Sequence, residues 1–120
     1  MSGDYRVKRA YDAPSKADGK RVLVDRLWPR GVRKEEAELD EWAKDATPSN
    51  ELRKWYHENP DGYPVFVERY DAELEGEPQR KAMEQVRALH AEHTVTLVTA
   101  AKDVESSHVP VLLRRLEEGA

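Results

Sequence analysis

Thr94-Val95-Thr96-Leu97-Val98-Thr99-Ala100 is the stretch from which the rest of the chain is read. It is short, rich in β-branched residues and apolar at its centre, as expected of a strand covered on both faces. Arg21-Val22-Leu23-Val24-Asp25-Arg26 has the same character. Several helical patterns lie between the two, and parallel strands need a connection of that length, because a tight hairpin can only join antiparallel ones. The predicted fold is therefore α/β: a small, mainly parallel sheet with helices packed on it, in a single domain spanning residues 1–120.

Working outward, Tyr5-Arg6-Val7-Lys8-Arg9-Ala10-Tyr11 alternates in part and predicts an amphipathic edge strand, followed by a turn-rich connection from Asp12 to Gly19. Leu27-Trp28-Pro29-Arg30-Gly31 reads as a loop, since Pro29 and Gly31 interrupt both strand and helix. Leu39, Trp42, Ala43 and Ala46 recur at i, i+3, i+4 and i+7, which predicts a helix over about 35–45. Either Thr47, with Pro48 at the first helical position, or Ser49 caps the next helix, whose stripe is Leu52, Trp55 and Tyr56. Phe66, Tyr70 and Leu74 share a face of a helix opened by Pro64, and Ala82, Val86 and Leu89 do so in one running from about Pro78 to Ala91. A last helix carries Val109, Leu112, Leu113 and Leu116, with Ser106 or Ser107 as its cap and Pro110 in its first turn.

At 120 residues the chain has room for one core, and its 38% hydrophobic share, with Trp 3 and Tyr 5, argues against disorder despite 37% charged residues. Cys 0 excludes disulfides, thiol nucleophiles and cysteine-ligated metals, and fits a reducing compartment. No apolar run is long enough to span a bilayer, and Met1-Ser2-Gly3-Asp4-Tyr5 lacks a signal-peptide pattern, so the expected location is the cytoplasm, away from membranes. A net charge of −4 disfavours a protein that coats nucleic acid. That average conceals a split: residues 1–34 hold ten Lys/Arg against four Asp/Glu, a balance of +6, and the remainder is at −10. Either one end of the chain faces an anion, or basic strands pair with acidic helices.

Ligands of open parallel sheets gather beyond the carboxyl ends of the strands. One buried strand runs into Asp25, Arg26 and Arg30, and the other into Thr99, Lys102 and Asp103, with a helix start at Ser107 and His108. Parallel strands put both segments at one edge. Guanidinium forks match carboxylate or phosphate, and amides of a helix start add donors. Arg26, Arg30 and Lys102 are thus the expected anion ligands, with Ser107, and with Ser49 and Arg53 contributing from the second helix. Asp25 and His108 are the candidate catalytic, proton-transferring groups. Each also has a structural alternative, Asp25 as an ion-pair partner of Arg26 or Arg30 and His108 as a first-turn residue bonded to a loop. Trp28 either stacks on a planar ligand ring or belongs to the core. His90 and His93 have a chelating i, i+3 spacing but no third ligand in view, so no metal or cofactor is called for. Phosphate-loop, dinucleotide, nucleophile-elbow and HExxH signatures are absent.

The chain resembles the YeaO-like proteins, a bacterial domain-of-unknown-function family, from about Tyr5 to Leu116. The resemblance is carried by Gly19-Lys20-Arg21-Val22-Leu23-Val24-Asp25-Arg26-Leu27-Trp28-Pro29-Arg30-Gly31 and by Trp42-Ala43-Lys44-Asp45-Ala46 with Pro48-Ser49. Glu51-Leu52-Arg53-Lys54-Trp55-Tyr56, Phe66 with Arg69-Tyr70 and Glu73-Leu74, and Ala100-Ala101-Lys102-Asp103 support it. The family's Asn-His-Ala run before the final helix is replaced by Ser107-His108-Val109-Pro110, and Thr99 stands where the family has an aromatic residue. The resemblance implies a compact α/β fold and a shared site, and it brings no established activity. Two functions follow as expectations: a small-anion site for a phosphate or nucleotide-like ligand, or a non-enzymatic adaptor docking a protein or nucleic-acid partner through charged surfaces, with nucleic acid the less favoured partner.

Overall fold

In the computed structural model, which describes residues 4–119, four strands form one parallel sheet. They are β1 (Tyr5–Arg9), β2 (Lys20–Leu23), β3 (Glu41–Trp42) and β4 (Val95–Thr99), in the order β1-β4-β2-β3. The part of the leader reading that falls on Met1 to Gly3 lies outside the described residues. The helices are α1 (Lys34–Ala37), α2 (Asn50–Glu58), α3 (Tyr63–Glu73), α4 (Glu77–His90) and α5 (Val109–Glu118). Strand β4 is central, pairing Tyr5 through Arg9 on one side and Lys20 through Leu23 on the other.

Both faces of the two central strands are buried, as their unbroken apolar cores predict. Val22, Val24, Val95 and Leu97 join the main core with Phe66, Tyr70, Leu74, Val86, Leu112 and Leu116 from the helices. The opposite face carries Leu23, Val98, Thr96 and Arg21, all buried. This second layer is held largely by polar bonds. Asp18 accepts from Arg21 Nη1 at 2.7 Å and from Lys8 Nζ at 3.2 Å, and it closes a capping box with Ser15. Thr96 Oγ1 donates to the Asp18 carbonyl at 2.7 Å. Two of the ten N-terminal cations, Lys8 and Arg21, thus pair with Asp18 of their own segment rather than with the acidic helices.

Gly19 makes this layer possible: its φ is +64°, and a Cβ there would lie 2.2 Å from the Thr94 carbonyl oxygen.

The helix predicted over 35–45 is replaced by α1, a left-handed Glu38 (φ 46°) and the short strand β3. Tertiary hydrogen bonds override the helical spacing. Arg21 Nε donates to Ala37 O at 2.9 Å, Asp40 Oδ2 accepts from Arg21 N at 2.9 Å, and Asp40 N returns a bond to Arg21 O at 2.8 Å. The chain is thus drawn onto the free edge of β2, where Trp42 Nε1 donates to Asp25 O at 2.7 Å.

The other helices follow their apolar stripes. Ser49 is the cap of α2, accepting from Leu52 N at 3.1 Å. At α5 the cap position falls on His108, although Ser107 Oγ accepts the Val109 amide at 3.1 Å. His90, at the end of α4, stacks on Tyr5 with ring centroids 3.8 Å apart. Among the described residues no three His, Cys, Asp or Glu side chains gather as a metal site, and no helix is long and apolar enough to cross a membrane.

Candidate functional site

Beyond the carboxyl ends of β1, β2 and β4 lies a cleft of about 1060 Å³. Its floor is Asp25. Burial raises the proton affinity of this carboxyl, but bonds from His108, the Ala100 amide and Thr99 outweigh it and hold the group below the usual carboxylate range. Thr99 Oγ1 and Ala100 N both donate at 2.7 Å, tying the end of β4 to the segment after β2. His108 Nε2 lies 2.6 Å from Val24 O and 3.4 Å from Asp25 Oδ1. A carbonyl can only accept, so Nε2 carries a proton and donates to Val24.

The walls are cationic. Arg26, Arg30, Arg53, Lys54 and Lys102 line the cleft, against only Asp25 and Asp103 among the carboxylates. None of the ion pairs among the described residues uses any of those five cations. Arg26 is oriented by Nε, which donates to Pro48 O at 2.9 Å, so its terminal amines remain for other acceptors. Arg30 is exposed on a loop pinned by Trp28, whose Nε1 donates to Val32 O at 2.7 Å. Gly31 supplies the positive φ of 79° which that turn requires. Arg53 keeps a 3.2 Å bond to Asn50 Oδ1, and Lys102 is exposed on the loop after β4.

Of the residues expected here, Asp25, Arg26, Trp28, Arg30, Arg53, Lys102, Ser107 and His108 all line this one cleft. Ser49 is not among the lining residues: its Oγ donates to Glu73 Oε2 at 2.6 Å and its amide to Glu73 Oε1 at 2.8 Å, which joins α2 to α3. Ser107 is engaged too, donating to Val104 O at 2.6 Å. Trp28 is half-buried, edge-on to Trp42 at 5.7 Å.

Lys54, Asn50 and His57 also line the cleft and were legible in principle. Asn50, Arg53, Lys54 and His57 stand at i, i+3, i+4 and i+7, a polar stripe complementary to the apolar one of α2. Tyr11, just past β1, borders the cleft as well, and only the strand order brings it there.

A family model described as the inactive DUF488-N3 subclade matches residues 4–120. The chain belongs to this family. Among its relatives, an uncharacterized protein of Mycobacterium tuberculosis is 43% identical over 111 residues, covering 92% of each chain. The uncharacterized protein YeaO of Escherichia coli is 43% identical over 109 residues, covering 91% of this chain and 93% of its own. The YeaO-like resemblance is thereby established across nearly the whole domain. No solved structure matches the chain significantly.

Proposed function

We propose that the cleft of this DUF488-N3 family member binds a small anionic ligand of phosphate or nucleotide type. The observation that carries this is the gathering of five cations, without carboxylate partners among the described residues, around one cleft of a chain whose net charge is −4. Like charges held close together repel one another, and a bound anion relieves that repulsion. Strand carboxyl ends are the customary ligand position in such sheets.

Binding without turnover suits the groups present. The carboxylate of Asp25 is committed to Thr99 and Ala100, His108 Nε2 to Val24, and Ser107 Oγ to Val104, so the cleft holds no serine poised on a histidine. The description of the matching subclade as inactive agrees. Asp25 and His108 then position the rim, and proton transfer by them is the enzymatic alternative. A cytoplasmic location belongs to the same proposal, since a cysteine-free chain fits a reducing compartment. The adaptor alternative draws less support, because Lys8 and Arg21 spend their charge on Asp18.

Thermal unfolding with inorganic phosphate, sulfate and nucleotides tests the proposal. A ligand at 100 times its Kd adds about 2.7 kcal/mol. Arg30→Ala with Lys102→Ala removes two exposed cations that hold no other element, and should abolish the gain without lowering the unliganded Tm. No gain with any probe, or an equal gain in the double variant, refutes it.

A further inference from the structure

We infer that the cleft is built for a nucleoside phosphate, with Tyr11 as the platform on which its base stacks; this rests on the anion-binding proposal above. A phosphate alone would leave most of a 1060 Å³ cleft unfilled. Of the five exposed large hydrophobic side chains among the described residues, two, Tyr11 and Leu27, stand on this cleft, and Tyr11 is 50% exposed.

Tyr11 is nevertheless held in place. The Arg9 guanidinium lies over its ring, 5.2 Å from the centroid. Arg9 is itself anchored by Nε to Ala101 O at 3.0 Å and by Nη2 to Ala100 O at 3.4 Å. The ring is therefore backed by a fixed cation, and Tyr11 lines the cleft. A preorganised aromatic loses little freedom when a flat ring lies on it. Trp28, the other aromatic considered for this role, is less suited, since it is half-buried and bonded to Val32.

Strand order supplies the spacing. β4 separates β1 from β2, so residues just past β1 and just past β2 stand two strand spacings apart, roughly 10 Å. Tyr11 thus faces Arg26 across the Ala100–Lys102 loop at a distance that a nucleoside with its 5′-phosphates bridges. Five cations against two carboxylates favour a diphosphate or triphosphate over a monophosphate.

Calorimetric titration of the full chain with ADP, inorganic pyrophosphate, ribose 5-phosphate and a single-stranded hexanucleotide decides the matter. ADP should bind the tightest. Tyr11→Ala should weaken ADP by roughly tenfold or more, the usual loss of a base-stacking aromatic, and leave pyrophosphate unchanged. Tyr11→Phe should restore ADP binding, and an unaltered Tm in both variants excludes a folding effect. Pyrophosphate binding as tightly as ADP, or Tyr11→Ala weakening both alike, overturns the base platform and leaves the anion site standing. Tighter binding of the hexanucleotide than of ADP overturns the free nucleotide as occupant. Failure of all four probes removes the anion site and this inference together.

Discussion

Replacing Asp25 by asparagine separates the charge of the buried carboxylate from its shape. Oδ1 accepts from Thr99 Oγ1 and lies near His108 Nε2, whereas Oδ2 accepts from the Ala100 amide. An amide side chain has one oxygen. Whichever way it turns, its NH2 meets either the Ala100 N–H or the proton-bearing Nε2 of His108. Losing a charge-assisted bond and opposing two donors in a largely buried place costs about 2–4 kcal/mol. In a domain of this size that is a fall in Tm of roughly 10 °C. Burial raises the carboxyl's proton affinity but the bonds from His108, Ala100 and Thr99 outweigh that effect, so its folded value lies below the unfolded one of about 3.9. The carboxylate's contribution is accordingly present above that unfolded value and is lost as pH falls through the folded one. Urea unfolding of both proteins at pH 7 and again near pH 2 should show a large gap that narrows in acid. An Asp25→Asn protein as stable as the parent at pH 7, or a gap indifferent to pH, would refute the reasoning.

Three further outcomes are expected. Ser49→Ala removes both the α2 cap and the hydroxyl donated to Glu73, and should lower stability in urea by about 2 kcal/mol without altering phosphate binding. Tyr70→Phe deletes the buried hydroxyl that donates to Ala46 O at 2.5 Å, and should cost about 1–2 kcal/mol in the same assay. Gly19→Ala adds a carbon 2.2 Å from a backbone oxygen at a positive φ, so circular dichroism should show an unfolded or strongly destabilised chain at 37 °C.

The central strands were legible because burial on both faces leaves an apolar run that no amphipathic helix produces, and their parallel pairing followed from the length between them. The lining of the candidate site was legible for the same reason: once Arg26 and Lys102 follow parallel neighbours, both border one cleft. Local pattern misled where distant partners intervened. Leu39, Trp42, Ala43 and Ala46 have helical spacing, yet Arg21, some twenty residues earlier, captures Ala37 and Asp40 and turns the segment into an edge strand. Arg21 is buried at 3% exposure against Asp18, three residues before it, and the strand pattern around Arg21 does not distinguish that from a guanidinium facing solvent. Tyr11 was hidden because β1 and β2 look like neighbours in the chain, while β4 inserts between them.

That insertion also governs the order of events during synthesis. β1 and β2 make no ladder with each other, and the strand that joins them is encoded some seventy residues after β2. Until β4 has emerged, β1 has no ladder partner and β2 has only β3, so loop closure over that distance precedes the pairing of either with β4. The cations on β1, Arg6, Lys8 and Arg9, discourage such an edge from pairing with another copy in the meantime. A ribosome-bound chain halted just short of Val95 should accordingly remain sensitive to protease, and one extended past α5 should become resistant in a single step.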